Sequence, residues 1–190
     1  YGGRNIYRFT AADFPMEPNK RNEYFNNITA SSFLFQDLIV QHPHLNKLNP
    51  CCINSIRMDT FIDKENQCEI ISAFLRMSID GAYVDNVSSG GCFVGIDMNK
   101  GQLHEKGYSS ITVAGGTILN AHPITKISFK GFKIPYFKEA KELVLKAAKL
   151  VPSLRLIGWD IAITDSGPVL IEGNCGYDIT ANDLVYGGYK

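Results

Sequence analysis

The segment GWDIAITDSGPVLIEGN, residues 158–174, brings acids together at a spacing that can do chemistry. Ile157, Trp159, Ile161 and Ile163 alternate with polar or small residues, as do Val169 and Ile171 further on, so two strands share a buried face. Asp165, Ser166 and Gly167 read as a three-residue hairpin loop with the glycine in the left-handed position. Thr164 then pairs with Pro168, Ile163 with Val169, Ile161 with Ile171 and Trp159 with Gly173. On the other face the same register sets Asp160 against Glu172 and Gly158 against Asn174. Directly opposed side chains have Cβ atoms about 4.5–5.5 Å apart, where like charges repel, so a positive group is expected between the acids. Two carboxylates and an amide oxygen are hard ligands of the kind magnesium takes, often together with phosphates. The plainer reading is a solvated hairpin face on which acids happen to align.

Two arginines sit in apolar surroundings, Arg57 in INSIRMDTFID (53–63) and Arg76 in EIISAFLRMSID (69–80). An unpaired charge there is costly, and a planar guanidinium suits phosphate or carboxylate. Each is therefore either an anion ligand or half of a salt bridge within a sheet. SSGG (88–91) offers backbone N–H groups to an anion, or is only a turn. Cys175 follows Asn174 with no base beside it and reads as a small buried thiol, not a nucleophile. His42 and His44 form an HxH pair without further zinc ligands at suitable spacing. His122 reads equally as a substrate-side group or as an ordinary loop residue.

These residues need elements to position them. NEYFNNI (22–28) reads as a short helix, and SFLFQDLIV (32–40) as a buried strand entering a loop at QHPHL. The two arginine-bearing segments alternate as strands and are separated by the polar turn KENQ. YVDNVSSGGCFVGIDMNKG (83–101) is a glycine-rich bend followed by a strand and a turn, and 102–134 reads as irregular strand and loop. The long helix is PYFKEAKELVLKAAKLV (135–151), with an apolar stripe of Ala140, Leu143, Val144, Ala147 and Val151. Pro135 starts it and Pro152 follows it. The pattern is that of an α+β fold, an antiparallel sheet with few helices, in one unit over residues 1–190 without linker or repeat.

Composition narrows the function. Of 190 residues 45% are hydrophobic and 20% charged, enough for an ordinary globular core. Nineteen Lys plus Arg balance nineteen Asp plus Glu, so bulk charge favours neither nucleic acid nor an anionic membrane as partner. No apolar run approaches the roughly 20 residues of a membrane span, and no leader pattern opens the chain. Five cysteines, an odd number with Cys51 and Cys52 adjacent and no CxxC, suit a reducing, cytoplasmic setting better than a disulfide framework.

As an ordered set, FQDLIVQHP, NSIRMDT, FLRMSIDGAYVDNVSSGG, HPIT and GWDIAITDSGPVLIEGN resemble the ATP-grasp superfamily, nearest to its sugar-transfer-associated group. In outline this group is similar to peptide-forming glutamate ligases. The resemblance implies the C-terminal part of an ATP-grasp fold with ATP and Mg2+ as cofactors. It makes Asp160, Glu172 and Asn174 the metal ligands, and puts Arg57 and Arg76 on phosphate or the activated intermediate. Asn86, Gly90 and Gly91 become the substrate-side loop. Backbone groups near Asp37, Leu38 and Ile39 would read the adenine edge, with Gln41 or His42 near the ribose. YGGRNIYRF is similar to the tail of the family's glycine-rich phosphate loop, with Gly2 and Gly3 as its glycines. On that alignment the chain starts after the lysine strand and the small N-terminal domain. Trp159 departs from the superfamily, in which many ligases carry arginine just before the metal aspartate.

The implied activity is ATP- and Mg2+-dependent carboxylate–amine ligation through an acyl phosphate. Its substrate would be a small carboxylate or amine in surface-polysaccharide or sugar modification, possible partners being glycosyltransferase-pathway enzymes. The alternatives are a kinase on the same scaffold and a non-catalytic nucleotide-binding module.

Overall fold

The computed structural model describes residues 17–30, 37–79, 81, 90–109 and 116–188. Where the sequence reads as one unit, the chain divides into two compact ones, the first ending at Leu38 and the second beginning at Ile39. In the first, helix α1 spans Pro18–Thr29, longer than expected because proline is tolerated in the first helical turn. Residues 37–40 belong to no strand, and Leu38 and Val40 are 63% and 70% exposed. The buried strand expected over 32–40 therefore does not extend through its last residues; residues 32–36 lie outside the described ones.

The second unit is built on a seven-stranded antiparallel sheet in the order β5-β4-β3-β2-β1-β6-β7. Its strands are β1 Ile56–Ile62, β2 Cys68–Met77, β3 Cys92–Asp97, β4 Gln102–Ser109, β5 Ile118–Leu119, β6 Leu156–Thr164 and β7 Gly167–Asn174. Alternation decides the faces. Ile56, Met58, Leu75, Val94, Ile161 and Ile163 turn into one core. Helix α2, Pro43–Leu48, forms where a loop was expected: Pro43 sits in its first turn, the His42 ring accepts the His44 N–H, and Leu45 and Leu48 are buried.

Helix α3, Phe137–Leu150, covers the same core with Phe137, Ala140, Val144 and Ala148. The expected stripe is right at Ala140 and Val144. It fails at Val151, which caps the helix and is exposed, because the helix begins after Tyr136 and its buried face runs through Phe137 instead.

The hairpin differs from expectation at its tip and agrees at its base. Thr164 pairs with Gly167, so the loop shortens to Asp165 and Ser166; Ile163 pairs with Pro168 and Ile161 with Leu170. The Thr164 hydroxyl explains the tighter turn, accepting from the Ser166 N–H at 3.2 Å and donating to the Gly167 carbonyl at 2.9 Å. A register shift between Asp160 and Ile161 leaves Ile171 as an extra residue, and Leu170 takes the core position expected for it. Beyond the shift Asp160 faces Glu172, Trp159 faces Gly173 and Gly158 faces Asn174, as the sequence suggested. A Cβ at Gly173 would lie 2.8 Å from Trp159 Cζ3, so this glycine makes room for the indole.

Candidate functional site

On the face away from that core, three adjacent strands contribute one row: Arg57 of β1, Asp160 of β6 and Glu172 of β7. The next row is Asp59, Gly158 and Asn174. Phe74 lies opposite Arg57, so Arg76, two residues further along β2, presents itself on the same face.

These side chains meet. Arg57 and Asp160 are only 9% and 3% exposed, and the guanidinium grips the carboxylate with both arms, Nε to Oδ1 at 2.5 Å and Nη2 to Oδ2 at 3.2 Å. Arg76 Nη2 reaches Asp160 Oδ2 at 2.9 Å. The Ser55 hydroxyl fixes Arg76, accepting from Nε at 3.0 Å and Nη2 at 2.7 Å. The salt-bridge reading of both arginines is thus realised, and the positive charge expected beside the acids is the arginine pair. A wholly solvated face is excluded by the burial of Asp160. Burial pulls the Arg57 pKa down, but the hydrogen bond and charge of Asp160, with Asp59 and Tyr177 behind, outweigh it and leave the pKa above its ordinary value. Glu172 stays exposed at the rim, where it accepts from Asn174 Nδ2 at 3.2 Å.

Gly90, with φ +101°, and Gly91 are buried immediately before β3, whose Phe93 pairs with Arg76. The two glycines therefore enter the sheet on the strand next to Arg76. Asn86, Gly2 and Gly3 lie outside the described residues. Asp37 and Leu38 are exposed and Ile39 is half-buried. The backbone N–H of His42 donates to the Ile163 carbonyl at 2.8 Å, three residues along β6 from Asp160 and so about 10 Å away. Gln41 turns inward: its amide donates to Asn46, Asn49 and Cys52 and accepts from the Asn54 N–H at 2.6 Å.

Of the second row, sequence reading paired Gly158 with Asn174 but missed Asp59. Asp59 accepts from Ser72 and, at 2.6 Å, from Asn182 Nδ2. Asp59 was findable, since it lies two residues from Arg57 on an alternating strand. Asn182 and Tyr177 were not: Asn182 sits on the seven-residue helix α4, Thr180–Tyr186, too short for a periodic stripe, and Tyr177 lies in the segment between β7 and that helix. Cys175 is exposed, against the buried thiol expected, since it follows the last residue of β7. His44 stacks on Phe132 at 4.5 Å and His122 is buried with Nε2 2.8 Å from the Ser78 carbonyl, so both serve packing.

Among the described residues no group of three or more His, Cys, Asp or Glu is arranged to hold a metal ion. The oxygen set that fits magnesium by donor type is Asp160, Glu172 and Asn174, paired across β6 and β7.

A seven-stranded antiparallel sheet with helices and an arginine–carboxylate row on one face is an α+β fold of the ATP-grasp type. A family model for sugar-transfer associated ATP-grasp matches residues 24–188, and the chain belongs to that family. No curated protein matches the chain. Membership points to an enzyme with ATP-dependent, ligase-type chemistry. Among the described residues no helix is long and apolar enough to cross a membrane.

Proposed function

We propose that this chain belongs to an ATP- and Mg2+-dependent carboxylate–amine ligase. The observation that supports it is the row Arg57, Asp160, Glu172, flanked by Arg76 and Asn174, which interleaves cations with oxygen donors on neighbouring strands. Asp160, Glu172 and Asn174 would hold magnesium, whose contribution is to neutralise phosphate charge. Two guanidinium groups face the carboxylates of Asp160, Asp59 and Glu172, so bound magnesium would supply the net positive charge offered to an anion. Arg57 and Arg76 take that anion: the phosphate during transfer and the acyl phosphate after it. Asp160 also keeps both forks oriented, so catalysis rests on alignment and fixed charge.

A substrate carboxylate oxygen attacks the γ-phosphorus of ATP and ADP leaves. The amine nitrogen then attacks the acyl carbon, phosphate leaves with the bonding pair, and the nitrogen loses its proton. Asn86, Gly90 and Gly91 would face the substrate and Gly2 and Gly3 the phosphates. Backbone groups of Asp37, Leu38 and Ile39 would read adenine. Of the two ribose candidates, His42 keeps a partly exposed ring, whereas Gln41 is engaged inside. The substrate would belong to sugar or surface-polysaccharide modification in the cytoplasm, alongside glycosyltransferase-pathway enzymes.

Isothermal calorimetry of ATP with and without magnesium tests the site. Glu172→Gln is the informative variant because Glu172 is exposed and outside the buried ion pair. Magnesium-dependent binding should weaken about tenfold in it, equivalent to about 1.4 kcal/mol. Binding that ignores magnesium, or is unchanged in Glu172→Gln, refutes the assignment. A stable phosphorylated product without amide would make the enzyme a kinase.

A further inference from the structure

The segment after β7 does more than end the chain. Asp178 Oδ1 accepts from both the backbone and the hydroxyl of Thr180, which starts α4. Asn182, one turn on, is buried and donates to Asp59 and to Ser72 Oγ at 2.7 Å. Val185 fills the space left by Gly95, where a Cβ would come 2.1 Å from its Cγ1. The Tyr186 hydroxyl is inserted between β2 and β3. It accepts from the N–H groups of Ala73 at 3.3 Å and Ile96 at 3.4 Å and is placed to donate to either carbonyl. The β2–β3 ladder runs from Met77 and Cys92 to Phe74 and Gly95, and Ala73 and Ile96 are the next positions, where the tyrosine takes over. Helix α4 is thus pinned across the arginine face at three points.

The segment leading into the pinned helix holds Tyr177, whose ring lies 5.4 Å from the Arg57 guanidinium carbon. Across β6 the backbone has yielded space: a Cβ at Gly158 would lie 2.9 Å from Asp59 Oδ1, 3.0 Å from Tyr177 Cδ1 and 3.1 Å from Arg57 Cδ. Glycine inside a strand costs stability and commonly marks a close approach. Here it is the point at which Asp59, the ring and the Arg57 stem converge.

We propose that Tyr177 is a positioning residue for Arg57: α4 straps its ring onto the guanidinium, which holds the fork on Asp160 and sets its affinity for anions. This deepens the phosphate-site reading above and rests on it. A ring face attracts a cation with or without a hydroxyl, so Tyr177→Phe should keep the function and Tyr177→Leu should lose it.

Two readouts on the whole chain separate the possibilities. The Arg57 Nε–H resonance, assigned by its loss in Arg57→Lys, reports the ring directly through its ring-current shift. Calorimetry with magnesium tripolyphosphate reports the anion site. Tyr177→Leu should move the resonance and weaken tripolyphosphate at least fivefold, with Tyr177→Phe within twofold of wild type in affinity and close to it in shift. Gly158→Ala, which crowds the ring while leaving the tyrosine in place, should reproduce the Leu result. An unmoved resonance in Tyr177→Leu, a moved resonance with unchanged affinity, or a Phe variant as impaired as Leu each overturns the proposal. A wild type that binds no tripolyphosphate refutes the phosphate site instead, and Tyr177 as a holder of Arg57 then stands or falls on the resonance alone.

Discussion

Asp160 is held by two arginines from two other strands, and its pair with Arg57 spans 103 positions of sequence. Each residue was legible as a candidate because a charge recurring in an apolar alternation is conspicuous. Their contact was not, since alternation gives the face of a strand and never which distant strand lies beside it. The same limit hid Asn182, which acts from a short helix without a periodic signature, and Tyr177, which acts from the segment just before it. Removing one partner of a buried pair leaves the other charge uncompensated, at about 3–5 kcal/mol. Asp160→Asn should therefore lower unfolding stability by about 3 kcal/mol in urea, whereas Glu172→Gln should stay within about 0.5 kcal/mol. Equal stability of the two variants would mean that the arginines do not depend on Asp160.

Among the elements, the β6–β7 hairpin shows what local pattern can and cannot carry. Its strands and the opposition of Asp160 to Glu172 followed from period two. The turn and the extra Ile171 did not, because side-chain hydrogen bonds of Thr164 selected the tighter loop and the bulge absorbed the difference. The two departures cancel at the base, which is why the acids face each other although the tip was misread. Helix α2 was missed for a related reason: a six-residue helix is too short for a periodic stripe and depends on Pro43 and the His42 cap. Gly167 has φ +119° with nothing within 4 Å of an added Cβ, so Gly167→Ala costs only backbone strain. About 1–2 kcal/mol is expected in a thermal or urea melt, without loss of magnesium-dependent binding.

For the whole molecule, acidity is the informative variable. Burial leads in holding the pKa values of His44, His104 and His122 below the ordinary 6.5. The unfolded chain consequently binds these protons at a higher pH than the folded chain does. The stability owed to the neutral rings is complete above pH 6.5 and drains as pH falls through it toward the folded values. Urea midpoints should drop between pH 7.5 and 5.5, and His122→Gln should flatten part of that slope; a midpoint that rises on acidification would contradict the burial of these rings. Asp97 and Asp178, held below the ordinary 3.8 by hydrogen bonds, add an acid loss of their own only near and below that pH.

The strand order has a kinetic corollary. β1 and β2 are neighbours in sequence and can pair early, as can β6 and β7, but β1 meets β6 only when a long intervening loop closes. Arg57 and Arg76 emerge from synthesis well before Asp160, so their counter-charge arrives late. The arginine–carboxylate cluster is a product of the docking of two hairpins, and no nascent chain that ends before β6 contains it.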